Sequence, residues 1–137
     1  MAVIYADSSA LVKLVRDEVE TPSLRLFLSG SDLVSSELVV TELPRAMRRA
    51  AVGLPARSLA RVLDTVGTML DAIALVPLDR SLLLAAGALD EPSLRSFDAI
   101  HIAAALALWP LDAFVSYDER QAAAARLAGI RTIAPGR

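Results

Sequence analysis

Short apolar runs alternate with helix-patterned stretches along the whole chain, and this alternation leaves few folds open. The runs "AVIYA" (2–6), "LVSS" (33–36), "AIALVPL" (72–78), "AFVSY" (113–117) and "IRTIA" (130–134) read as strands. Helical stretches fall between them at 8–17, 21–30, 37–52, 56–72, 80–89, 94–108 and 118–128. Strands separated by helices cannot pair as hairpins. They pair in parallel, with the helices covering both faces. The expected architecture is a three-layer α/β/α sandwich with a central, mainly parallel sheet. The 137 residues suit one domain, 1–137, and no linker, repeat or low-complexity tract divides them. Punctuation agrees with these bounds. Thr21 is the expected N-cap of its helix with Pro22 at the first helical position, and Gly30 and Gly129 close helices. Pro44 is expected to kink or break the helix over 37–52.

Composition narrows the chemistry. There is no Cys, which removes disulfides, thiolate nucleophiles and Cys-ligated zinc together. A single His, His101, rules out multi-His metal sites within one chain. Any metal must be held by oxygen, which favours Mg²⁺ or Mn²⁺. Hydrophobic residues make up 55% of the sequence, enough for a large core and for some apolar surface that a partner covers. The longest run without charge lies between Asp98 and Asp112 and is too short for the roughly 20 apolar residues of a membrane span. The N-terminus meets Asp7 early and has no basic region, so it does not read as a signal peptide, and a cytoplasmic location is expected. A net charge of −2 is not the footprint of a strongly basic nucleic-acid binder. Yet Lys13 is the only lysine among 14 basic residues, and Arg suits bidentate contact with phosphate or carboxylate.

Short strand–helix links place functional groups at the carboxyl ends of strands, where open α/β sheets bind ligands. Four carboxylates sit near that edge. Asp7 ends the first strand, Asp118 follows the fourth, Asp98 lies at the start of the helix feeding it, and Glu42 is on the helix after the second. Each also has a purely structural reading. Asp7 and Asp118 suit helix caps or acidic first turns, and Asp98 suits a helix dipole. Glu42 could pair with Arg45 or Arg49. On a helical wheel, however, Glu42 falls about 60° from the buried-type Val39, at the edge of the apolar face. Carboxylates a few Å apart repel by about 4 kcal/mol per pair at an effective dielectric near 20, so a converging set must take up protons or bind a cation.

At these residues the sequence resembles the PIN domain family, and in particular VapC-type toxins of type II toxin–antitoxin modules. The matching stretches are "IYADSSALVKL", "SSELVVTELPRAMRR", "LRSFDAIHIAAAL" and "FVSYDERQAAAA", which together span nearly the whole chain. The resemblance implies a Mg²⁺- or Mn²⁺-dependent endoribonuclease. It implies that Asp7, Glu42, Asp98 and Asp118 form an acidic metal-binding and catalytic quartet, with Ser116 in support. It further implies a homodimer, an RNA substrate and a cognate VapB-type antitoxin, for which the helices over 8–29 and 37–52 offer a groove. Pro44, just after Glu42, departs from the family pattern, and the sequence leaves open whether a kink there shifts that residue. Arg45, Arg48, Arg49 and Arg95 are candidate contacts for an RNA backbone. His101 is expected to serve the scaffold.

Two rival readings stand beside this one. A phosphoryl-transfer or receiver-like pocket needs a lysine, for which Lys13 is the one candidate, and the phosphatase pattern needs an acid where Ser9 stands. A non-catalytic interaction module that keeps the fold is the other.

Overall fold

The computed structural model describes residues 1–137. Its centre is a five-stranded, wholly parallel sheet in the order β3-β2-β1-β4-β5. The strands are β1 (Val3–Ala6), β2 (Asp32–Ser36), β3 (Ala74–Val76), β4 (Ala113–Val115) and β5 (Thr132–Ile133). The helices are α1 (Ser8–Val15), α2 (Thr21–Leu28), α3 (Val39–Ala50), α4 (Ala56–Ala72), α5 (Arg80–Gly87), α6 (Ser96–Ala107) and α7 (Glu119–Leu127). Every expected element is present, and the three-layer arrangement is the expected one.

Side-chain alternation on the strands explains the layering. On β1, Ile4 and Ala6 face one side, where α1 to α4 supply Ala10, Leu11, Leu24, Leu43, Met47 and Val66. Tyr5 faces the other, among Leu82, Ile102 and Ala125 of α5, α6 and α7. Neighbouring β4 repeats the pattern, with Ala113 and Val115 on the first side and Phe114 on the second. Tyr5 and Phe114 are register partners, and their rings stack at 5.2 Å with 9° between planes. Burial on both faces is why these strands read as unbroken apolar runs. In α6, Ala103, Ala104 and Ala105 are all buried, so the helix backbone lies close to the core.

The structure departs from the sequence reading in detail. Strand β3 is trimmed to Ala74–Val76 and β4 to Ala113–Val115. Thr21 is the first residue of α2 and not its cap; its hydroxyl instead donates to the Lys13 carbonyl and accepts from the Glu18 N–H. Pro44 does not break α3, which runs through it. The one backbone bond it cannot make would go to the carbonyl of Val40, a residue 48% exposed and so open to water. Gly30 and Gly129 follow α2 and α7 in the left-handed conformation, at φ 76° and 85°, as helix-closing glycines should. No helix is long and apolar enough to cross a membrane.

Lys13 settles one rival. It is buried, and its ammonium donates to Glu18 (2.5 Å) and Glu20 (3.0 Å). It is therefore committed to a structural cluster and not available to a phosphoryl group. Arg137 joins the cluster through Glu20 Oε1 (2.9 Å) and donates to the Tyr117 carbonyl (3.1 Å).

These donors hold the Glu20 carboxyl down from its usual 4.5 to about 2, with Lys13 the larger cause and Arg137 the next. A depressed acid stabilises the fold above its usual pKa and loses that contribution as pH falls through the depressed value. Glu20→Gln is therefore expected to lower the melting temperature at pH 7, with the gap to wild type closing between about pH 4.5 and 2. Thermal melts across that range check it.

Candidate active site

The strand order turns back between β1 and β4. The helix after β1 packs on one face of the sheet and the helix after β4 on the other, which opens a crevice at their carboxyl ends. Asp7 follows β1 directly, and Ser116, Tyr117 and Asp118 follow β4.

Asp7 is 3% exposed. Its N–H donates to the Val115 carbonyl (3.2 Å), carrying the β1–β4 ladder one step further. Its Oδ1 accepts from Ser9 Oγ (2.6 Å) and the Ala10 N–H (3.2 Å), and its Oδ2 accepts from Ser116 Oγ (2.5 Å). Ser9 Oγ accepts in turn from the Tyr117 N–H (2.9 Å), and Ser116 Oγ from the Asp118 N–H (3.1 Å). Burial pushes the Asp7 carboxyl above its ordinary range, and the serine hydroxyls act against that rise. Asp7 is thus both the cap of α1 and the centre of a buried hydroxyl–carboxylate cluster.

Asp118 caps α7, its Oδ1 accepting from the N–H groups of Arg120 (2.9 Å) and Gln121 (3.1 Å). Its other oxygen has no protein partner. Asp98, in the first turn of α6, is half-buried; burial raises its carboxyl pKa, and the nearby charge of Asp118 adds to the rise. Glu42, in the first turn of α3, is held through Oε1 by His101 Nε2 (2.7 Å). Pro44 therefore does not carry it away from the crevice. His101 is buried, and its Nδ1 bonds the Tyr5 hydroxyl (2.6 Å). Burial lifts the Tyr5 phenol well above its ordinary pKa, so it stays protonated. Both bonds are satisfied when Tyr5 donates to Nδ1 and Nε2–H donates to the Glu42 carboxylate.

Glu42, Asp98 and Asp118 line one cleft of about 700 Å³, together with Arg95, Phe97, Glu119 and Arg120. Asp7 and Ser116 do not line it; they are buried and reach it through the Ser116–Asp118 bond. Arg45 and Arg49 line an adjoining hollow of about 530 Å³, while Arg48 lines neither. The sequence reading gave no functional part to Ser9, Tyr5, Phe97 or Arg120. Two signals pointed to the first pair: a hydroxyl two residues after Asp7, and a tyrosine in an otherwise aliphatic strand.

The donor chemistry fits a hard divalent cation. Every side chain offered is a carboxylate, and two of the four are destabilised as anions by burial. No three or more Asp, Glu or His side chains are grouped closely enough to enclose an ion by themselves. The fit is to an ion that keeps much of its water, as Mg²⁺ commonly does.

Comparisons with known proteins agree with this fold. The model of the PIN domain family matches residues 4–127, and the chain belongs to that family. Within it, the chain is 36% identical over 140 residues to Ribonuclease VapC47 of Mycobacterium tuberculosis, covering 98% of each sequence. Among solved structures it resembles VapBC2 from Rickettsia felis bound to a promoter DNA fragment, with a TM-score of 0.70 at 10% identity over 97% of this chain and 98% of that one. It also resembles the Mycobacterium tuberculosis sarcin-ricin loop cleaving toxin VapC20, with a TM-score of 0.69 at 16% identity over 96% and 99%. At such identities the two structures speak for the fold.

Two outcomes are expected from this geometry. Asp98→Asn removes a carboxylate that is harder to ionise folded than unfolded. In divalent-free buffer near pH 7 it should fold at least as stably as wild type, and any advantage should shrink as pH falls toward the usual 3.8. Tyr5→Phe leaves His101 Nδ1 buried and unpaired and should cost about 1–3 kcal/mol in urea unfolding.

Proposed function

We propose that the chain, acting as a single domain over 1–137, is a divalent-metal-dependent endoribonuclease and the toxin of a type II toxin–antitoxin module. The observation that carries the proposal is the meeting of Glu42, Asp98 and Asp118, from three separate elements, in one cleft above the buried Asp7. The ribonuclease name of the relative at 36% identity supports the reaction class.

Asp7 and Asp98 are assigned to hold the principal ion, Mg²⁺ or Mn²⁺, directly or through water, and Asp118 and Glu42 to complete its surroundings. When bound, the ion supplies an acidified water and neutralises charge on the phosphodiester. The residues supply the rest. The Ser9 and Ser116 hydroxyls fix both oxygens of Asp7. His101 occupies Glu42 Oε1, which leaves Oε2 to take a proton from the attacking water. Capping fixes Asp118 Oδ1 and leaves Oδ2 without a protein partner. The serine donors of Asp7 and the imidazole behind Glu42 are partners of the kind whose loss commonly costs about 10–100-fold in metal affinity or activity.

A VapB-type antitoxin is the proposed partner, consistent with the VapBC naming of the Rickettsia felis assembly. A homodimer and a cytoplasmic location complete the proposal. The surviving rival is an interaction module without activity, and the free carboxylate oxygens favour the enzyme.

Purified chain without antitoxin is expected to cut RNA in Mg²⁺ or Mn²⁺, to stop in EDTA and to recover when metal is restored. Expression should arrest growth, Asp98→Asn should not, and co-expressed antitoxin should relieve the arrest. Failure to cleave total cellular RNA with any divalent ion, or full toxicity of Asp98→Asn, would overturn the assignment.

A further inference from the structure

Phe97 has no part in the fold that explains its position. Of the aromatic side chains, Tyr5, Phe114 and Tyr117 are buried, whereas Phe97 is 57% exposed. Trp109 is also exposed but lines neither the carboxylate cleft nor the hollow beside it. Phe97 directly precedes Asp98 and is the one hydrophobic residue lining the carboxylate cleft. It also forms the wall shared with the adjoining hollow, where Ser8, Thr41, Arg45 and Arg49 stand. Arg45 and Arg49 are one turn apart on α3, and neither makes an ion pair with any carboxylate of the chain. Arg95 and Arg120, on the cleft side, are likewise unpaired.

An exposed aromatic face flanked by uncommitted guanidinium groups matches the needs of single-stranded nucleic acid. An unstacked base offers a π-face to the ring, and the phosphates beside it offer oxygens to Arg. A duplex cannot use the ring in this way, because its bases are stacked on one another.

Resting on the ribonuclease reading, we propose that Phe97 is a stacking platform for one unpaired nucleobase, with Arg45 and Arg49 meeting the adjoining phosphates. The base held on the ring must then be unpaired. The platform delivers the linkage next to the stacked base to Glu42, Asp98 and Asp118. An alternative occupant, an apolar side chain of a protein partner or of a second copy, would value the greasiness of Phe97 and not its ring.

The experiment measures binding in EDTA, where cleavage is silent, to a fluorescent single-stranded RNA of mixed sequence and to a perfectly paired hairpin stem of matching length. Wild type should favour the single strand. Phe97→Leu keeps an apolar side chain and should weaken single-strand binding by about 5- to 150-fold while leaving the hairpin unchanged, and Phe97→Trp should restore it. The double change Arg45→Gln with Arg49→Gln should weaken both and reduce the log–log salt slope of single-strand binding by about 1.4. Equal affinity of wild type for the two RNAs, or unchanged single-strand binding by Phe97→Leu, overturns the platform. So does a Phe97→Ala variant that changes the oligomer mass, or loses antitoxin, while binding RNA normally. Cleavage separates the two readings. If wild type and Phe97→Leu cut RNA equally well, the platform fails and the nuclease stands. If single-strand binding depends on the ring but no RNA is cut with Mg²⁺ or Mn²⁺, the nuclease reading fails and the platform stands.

Discussion

A buried carboxylate at the end of the central strand sets the terms for everything around it. Asp7 is placed where the sheet reverses its order, and its anion is out of water. An unpaired charge there would be ruinous, so the chain surrounds it with donors: Ser9 and the Ala10 N–H from α1, and Ser116 from the strand next door. The same bonds fasten the start of α1 to the loop after β4, through Tyr117 N–H on Ser9 and Asp118 N–H on Ser116. Asp118 is thereby tied, through Ser116, to the bonds that solvate one acid in the interior. Even so, its pKa stays raised, which means the donors do not finish the task.

How far the sequence discloses this depends on the kind of signal. Strand and helix order follows from period and punctuation, which are local, and those elements appear where expected. The carboxylates were harder to weigh, because their structural and chemical readings are not exclusive. Asp7 and Asp118 do cap helices, each through Oδ1, and a cap consumes only part of what a carboxylate offers. Glu42 was legible from its wheel position at the edge of the apolar face, which is where it lies. The consequence of Pro44 was not, since it turns on whether the orphaned carbonyl faces water. His101 is buried as a scaffold residue is, but its contacts with Tyr5 and Glu42 join residues 96 and 59 positions away, and no local pattern encodes such a pairing. Phe97 looked like one more apolar residue on an apolar helix. Only its exposure at the wall between two hollows distinguishes it.

The cleft is electrically divided. It is lined by the carboxylates of Glu42, Asp98, Asp118 and Glu119 together with Arg95 and Arg120, and neither arginine closes an ion pair with an acid of the chain. The chain as a whole is mildly acidic, so net charge conceals this separation. On the proposed nuclease reading, a phosphodiester would meet both signs of charge there, and a divalent cation among the carboxylates would relieve the repulsion.

The three alanines in the middle of α6 carry a consequence of another kind. Ala103, Ala104 and Ala105 let that helix settle against the core with almost nothing between. The same rigid rod presents Asp98 at one end of its first turns and His101 just behind it. Added volume along the seam would press that helix away from the core, toward the end that carries the acid and the imidazole. Packing thus reaches the cleft from behind: the seam holds the helix in place, and the helix holds Asp98 and His101.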